Sequence, residues 1–260
     1  MDAIPIVLAA FGTTVEPAQK VYDQIEDAVR RRFPDHPVRW GYTAGRVRAR
    51  LADAGIDAPA PEEALARFAR DGAGRAVVQS IHVVPGQMDA RLRALHTEGI
   101  AVAFGAPLLA ADEDRERVAR ALEAEFRADR LNVVAAHGND RHPEYNRELL
   151  ALATRLERAR DNVILCSVEG EPGTGKLEAQ RDRAVALGGV HVVPLMLVAG
   201  DHILNDVLGD EPDAWVQRLG APEATCAPPL GALAEVQAVF LDHIAAALDD
   251  AAGSQPGGPV

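Results

Sequence analysis

The chain has 260 residues, 48% of them apolar, with a formal charge of −12; it can bury a large core as one big α/β domain or two similar lobes. That acidity argues against nucleic acid as a partner, because phosphate contacts need a basic surface. No window approaches the roughly 20 uninterrupted apolar residues of a membrane span, so no membrane partner is expected either.

Met1-Asp2-Ala3-Ile4-Pro5 runs straight into an apolar segment, with no basic leader and no separate cleavable stretch. A cytoplasmic location is therefore expected. Cys166 and Cys226 are the two cysteines; they make no framework and no metal-type spacing, which suits a reducing compartment. Lys20 and Lys176 are the only lysines. Codon composition accounts for such a skew, although arginine also grips carboxylates in a bidentate fork.

In chain order, a strand is expected at Ile4–Ala10 and a helix at Glu16–Phe33, with Thr13 and Glu16 as a capping box and Pro34 as the stop. A helix at Glu62–Asp71 and a strand at Ala76–Val84 come next, then a helix at Asp112–Arg127 and a strand at Leu131–Ala136. A helix at Glu144–Arg160, a strand at Asn162–Val168, a helix at Leu177–Leu187 and a strand at Val190–Val198 complete the pattern. Strands alternating with helices imply an α/β fold, with parallel sheet covered on both faces. The Gly/Pro-rich residues 251–260 are expected to be a disordered tail.

The chain also echoes itself. Ile6-Val-Leu-Ala-Ala-Phe11-Gly12-Thr13-Thr14 is matched by Asn132-Val-Val-Ala-Ala-His137-Gly138-Asn139-Asp140. More loosely, Ile81-His82-Val-Val-Pro85-Gly86 is matched by Met196-Leu-Val-Ala199-Gly200-Asp201. Two similar lobes follow, expected at residues 1–120 and 121–250 with the boundary within Leu109–Arg130, and with a cleft where strand ends face each other. Ligands in such sheets sit outside the carboxyl ends of the strands.

Three of those ends carry metal-ligating residue types. His137 follows the strand Leu131–Ala136, Glu169 follows Asn162–Val168, and His202 follows Val190–Val198. A lone histidine at a strand end usually caps a carbonyl, but two imidazoles and a carboxylate on one rim form an open set for a divalent transition metal, or an acid–base site. Asp201 is the expected partner that orients an imidazole.

Gly170-Glu-Pro-Gly-Thr-Gly175-Lys176 resembles a phosphate-binding loop. Leu177 stands where a magnesium-ligating hydroxyl would be needed, and Pro172 removes an N–H from the cradle. No nucleotide is expected. His82 lies within the strand Ala76–Val84, two residues before the turn Pro85-Gly86, and reads as a satisfied core or cleft-wall histidine, or as a proton acceptor facing a ligand. Arg46, Arg48, Arg50, Arg91 and Arg93 form solvated helix faces or, taken together, anchors for a polycarboxylate. Asp210–Trp215 reads as a turn feeding a helix, with Trp215 closing the lobe.

With these residues placed, the chain resembles the anaerobic sirohydrochlorin cobaltochelatases, which are class II tetrapyrrole chelatases, from about Ile4 to Leu248. The most specific stretch is Pro194-Leu-Met196-Leu-Val-Ala-Gly200-Asp201-His202. Ala9-Ala-Phe11-Gly12-Thr13-Thr14 is similar to the family's F-G-T motif, His137-Gly138 to its H-G motif, and Val168-Glu169-Gly170-Glu171-Pro172 to its V-E-G-x-P motif.

The resemblance implies two chelatase-like lobes with the tetrapyrrole in the cleft, and cobalt held by His137, Glu169 and His202. It also implies Co²⁺ insertion into sirohydrochlorin, or its reduced form, without a nucleotide. His137 and Glu169 would be the catalytic residues, and Phe11, Gly12, Thr13, Thr14, His82 and Met196 would contact substrate. The family tends to self-associate, so a homo-oligomer is compatible with the resemblance. Where the family's L-H-x-x-x-G segment is followed by acidic and aromatic residues, this chain has Gln87-Met88-Asp89, a departure that can alter metal preference. Insertion of Fe²⁺ or Ni²⁺, or a non-catalytic tetrapyrrole or metal carrier, are the alternatives.

Overall fold

The computed structural model describes residues 3–221 and 223–253. Of the expected disordered tail, residues 254–260 lie outside the described residues, whereas 251–253 finish a helix. In order, the elements are β1 Ile6–Ala10, α1 Glu16–Arg32, β2 Val38–Tyr42, α2 Gly45–Asp53, α3 Pro61–Arg70, β3 Arg75–Ser80, α4 Gln87–Arg93 and β4 Ala101–Gly105. They continue with α5 Asp112–Glu125, β5 Leu131–Gly138, α6 Arg147–Ala159, β6 Val163–Glu169, α7 Arg181–Ala186, β7 Val190–Leu195, α8 Trp215–Arg218, β8 Ala224–Cys226 and α9 Ala234–Gly253.

These elements form two units with the same plan. The strands of the first run in the order β2-β1-β3-β4 and those of the second in the order β6-β5-β7-β8, and every pairing is parallel. Four strands on, the order repeats without change, which is the structural form of the echo between Ile6–Thr14 and Asn132–Asp140. In this order the chain leaves the first strand to one side and returns to the other, so the switch point lies between β1 and β3, and between β5 and β7.

The central strands are apolar because both of their faces are covered: β1 is buried throughout, and so are Leu131 to Ala136 of β5. In the first unit Val7, Ala9, Ala76 and Val78 pack with Ala64, Leu65 and Phe68 of α3. In the second unit Leu131, Val133, Ala135, Val190 and Val192 pack with Trp215, Val216 and Leu219. Trp215 is a core residue of its unit.

The contacts divide the chain after Leu108 and return it to the first unit from Gln237. The expected boundary at residue 120 falls inside α5, where Val118, Ala119, Ala121 and Leu122 are buried on both sides of it. α9 was expected with the second lobe. Its His243 Nδ1 instead lies 2.9 Å from the Ala106 carbonyl, and Arg75 reaches the Ala252 carbonyl at 3.4 Å.

Two local expectations change. The residue before α1 is Val15, with no side-chain cap. Thr13 Oγ1 accepts the Val15 N–H at 3.1 Å, a turn two residues long and not a capping box with Glu16. The strand expected over Ala76–Val84 ends at Ser80, which places His82 just beyond it.

Candidate metal centre

His137 is the seventh residue of β5, where the strand emerges from the core: Ala136 is fully buried and His137 is exposed. Gly138 follows at φ +74, in register with Glu169, and a Cβ there would run into the Glu169 carbonyl oxygen. Only glycine lets β5 and β6 approach this closely at their ends. This is the physical content of the H-G and V-E-G motifs: the first holds His137 at the rim, and the second supplies the backbone that Gly138 packs against.

His202 comes from the other side of the switch point. After β7 ends at Leu195, residues His202–Val207 form a single π-helical turn, a distortion often found at functional sites. Ile203 and Val207, four apart, are fully buried in the core of the second unit. They pin the turn and leave His202 and Asp206, also four apart, facing outward.

The imidazole rings of His137 and His202 therefore meet above the β5/β7 switch point, with centroids 4.8 Å apart and planes at 88°. A cation about 2.1 Å from each ring nitrogen would sit about 3.2 Å from each centroid. Two imidazoles sharing it at angles between square and tetrahedral would then have centroids about 4.5–5.3 Å apart. The observed separation falls in that range. His137 Nδ1 lies 2.9 Å from the Gly138 carbonyl, and His202 Nδ1 lies 2.6 Å from Asp206 Oδ2. Both neighbours accept only, so Nδ1 is the N–H in each ring and Nε2 keeps its lone pair. The partner that orients His202 is thus Asp206; Asp201, expected in that role, is exposed at the start of the turn.

Glu169 is not brought to this pair. Gly138 and Glu169 are register partners, so their side-chain positions share one face of the sheet, and strand alternation turns His137 to the other. Among the described residues no group of three His, Cys, Asp or Glu side chains is arranged to hold a metal. What the structure brings together here is the pair of imidazoles, His137 and His202.

The remaining expected substrate contacts separate by unit. Met196 is half-buried against the core of the second unit. In the first unit, Phe11 stands 54% exposed at the end of β1, an apolar ring held out of the core. Gly12 and Thr13 are buried behind it, and Thr14 is exposed. His82 follows β3, with Nδ1 3.0 Å from Ser80 Oγ. Although the residue as a whole is half-buried, its Nε2 is shut from solvent without a partner. Burial pushes the imidazole down to about 4, against the opposing pull of Asp89.

The arginines expected as anchors are partly engaged nearby. Arg48 lies 3.8 Å from Glu63, and Arg93 lies 3.1 Å from Asp89, while Arg46 and Arg50 are exposed. In the glycine-rich loop, Ser167 Oγ donates to the Gly170 carbonyl at 2.8 Å and accepts the Gly173 N–H at 3.0 Å. Lys176 turns to Glu157. The loop thus spends its lysine and a backbone donor on the protein itself.

An all-parallel α/β unit built twice, with an imidazole pair at the second switch point, defines the class as a chelatase-like fold. The chain belongs to the cobalt chelatase (CbiK) family, whose model matches residues 4–249. It is 34% identical to the sirohydrochlorin cobaltochelatase CbiKC of Nitratidesulfovibrio vulgaris, over 94% of this chain and 92% of that protein. Identity to the sirohydrochlorin cobaltochelatase of Salmonella typhimurium is 29%, over 94% and 96%. The structure of SirB from Bacillus subtilis with Fe³⁺ is similar in fold, with a TM-score of 0.65 at 15% identity over 97% of this chain and 98% of that one. Among the described residues no helix is long and apolar enough to cross a membrane.

Proposed function

We propose that this protein inserts Co²⁺ into sirohydrochlorin, with His137 and His202 presenting the cation through their Nε2 atoms. The observation that carries the reading is the perpendicular imidazole pair at 4.8 Å, both rings held with Nδ1 as donor. Its membership of a family of cobalt chelatases and the names of its relatives supply the substrate class.

The reaction demands little covalent chemistry of the chain. A tetrapyrrole takes up a divalent metal only after two pyrrole N–H protons leave, so the protein must bind the ring, accept protons and deliver a partly dehydrated cation. Two neutral imidazoles hold a divalent ion firmly enough to strip part of its water shell. They also leave positions free for the pyrrole nitrogens to enter. As the cation passes to the macrocycle, Nε2 of His137 recovers its lone pair and becomes a proton acceptor. Half-buried Met196, in the same unit as the imidazole pair, is proposed to contact the ring.

The test is turnover. Sirohydrochlorin mixed with Co²⁺, Fe²⁺ or Ni²⁺ and a catalytic amount of protein should show the absorption change of metal insertion over many equivalents, fastest with Co²⁺. Saturation at one equivalent would indicate a carrier instead. His137→Ala and His202→Ala should abolish insertion while binding of the macrocycle persists; undiminished rates in both variants would remove the metal pair from the mechanism.

A further inference from the structure

The two imidazoles are built alike but backed differently. His137 donates Nδ1–H to a neutral carbonyl, that of Gly138, at 2.9 Å. His202 donates to a carboxylate oxygen, Asp206 Oδ2, at the shorter 2.6 Å. A carboxylate behind an imidazole N–H fixes the tautomer, limits ring rotation and raises the basicity of the opposite nitrogen. A backbone carbonyl fixes the tautomer with a weaker electrostatic push.

We infer that Asp206 is a positioning residue that locks His202 in the tautomer with Nε2 free and makes it the retaining member of the pair, leaving His137 as the member that lets go first. The inference rests on the metal-pair reading above and adds an order to it. The cation is held longest by His202, and His137 is the imidazole freed early enough to take a pyrrole proton.

The geometry of the turn supports this assignment. Ile203 and Val207 are buried in the core, so the turn is held by residues other than the pair it displays. The side chains of His202 and Asp206 are 41% and 47% exposed. Substituting Asp206 removes no packed atom from the core, so a loss of function there would reflect the imidazole and not the fold.

The measurement is made on the metal-free full-length protein and then with Co²⁺ alone. Nitrogen-15 NMR of the imidazole side chains reports which ring nitrogen carries the proton. Wild-type His202 should show the Nδ1–H tautomer, and Asp206→Ala should shift it toward Nε2–H. Asp206→Asn, whose amide oxygen still accepts, should restore the wild-type signature. Co²⁺ affinity should fall by about 10–100-fold in Asp206→Ala, the range expected for an outer partner of a ligating histidine. The fall should be smaller in Asp206→Asn.

His202→Ala separates the two readings. If it loses Co²⁺ binding while Asp206→Ala keeps the wild-type tautomer and affinity, the positioning role is overturned and the metal pair stands. If His202→Ala binds Co²⁺ as tightly as wild type, the metal pair itself fails, and the inference fails with it.

Discussion

Gly138 on β5 and Glu169 on β6 are register partners at the strand ends, with Gly138 at φ +74 and its missing Cβ aimed at the Glu169 carbonyl. The position of His137 depends on that contact. Gly138→Ala imposes a left-handed backbone on an L-residue and a clash with fixed main chain, not with a side chain that can rotate away. The expected cost is about 1–3 kcal/mol in stability. Co²⁺ affinity should fall further than stability accounts for, because relief of the clash moves the residue before it. Urea denaturation and Co²⁺ titration on the same variant check this. A stable variant with wild-type affinity would show that the strand ends tolerate separation.

The same pairing bears on Glu169 itself. As Gly138's partner it lies on the face opposite His137, so Glu169→Gln should lower Co²⁺ affinity by no more than a few-fold, while either histidine variant loses it. Calorimetry on the three proteins decides. A collapse in affinity for Glu169→Gln would mean that the carboxylate reaches the cation when metal is bound.

Lys176 sits where a phosphate-loop lysine would, yet its ammonium pairs with Glu157, whose Oε1 also accepts the Leu165 N–H at 2.8 Å. The lysine therefore braces the glycine-rich loop against α6 and β6. Lys176→Met should lower the melting temperature by a few degrees, as for a partly exposed ion pair worth about 1 kcal/mol. It should leave insertion rates equal with and without ATP. An ATP-dependent rate that disappears in the variant would restore the nucleotide reading.

Five strands were legible in the sequence because burial on both faces makes most of their residues apolar. β1 is wholly apolar, while β3, β5, β6 and β7 keep apolar runs beside polar residues such as Gln79, Asn132, Ser167 and His191. The strands that escaped notice are the remaining three. β2 is interrupted by Arg39 and Gly41 and β8 has three residues, so neither presents a long apolar run; β4 does, from Ile100 to Phe104, a signal that could have found it. α9 escaped because its alanines blur the polar face. Val236, Val239, Phe240, Ile244, Ala247, Leu248 and Ala251 are buried at helical spacing, a pattern that could have found it. Register was beyond reach: Glu169 was placed on the correct rim, but which face it takes depends on its pairing with Gly138. Asp206 was missed for a related reason, since its contact with His202 depends on how the turn after β7 is wound.

The last prediction concerns His82, whose imidazole is held down at about 4 by burial, against an ordinary value of about 6.5. The folded protein therefore resists protonating this ring, while the unfolded chain takes up the proton from about pH 6.5 downward. Between those values the unfolded state binds more protons, so stability rises with pH across that window. The penalty is absent above about pH 6.5 and grows as pH falls toward 4, to at most about 3.5 kcal/mol at about 1.4 kcal/mol per unit. His82→Gln keeps a polar side chain at the site but removes the titration. Urea denaturation of both proteins at intervals from pH 4.5 to 7.5 should give curves that converge at low pH or cross there, with wild type losing stability more steeply on acidification. Parallel curves would mean that the ring is protonated in the folded state as readily as in the unfolded one. The variant's insertion rate at pH 7.5, above the range in which the ring titrates, compared with its stability at the same pH, separates a role of His82 in insertion from its role in the fold.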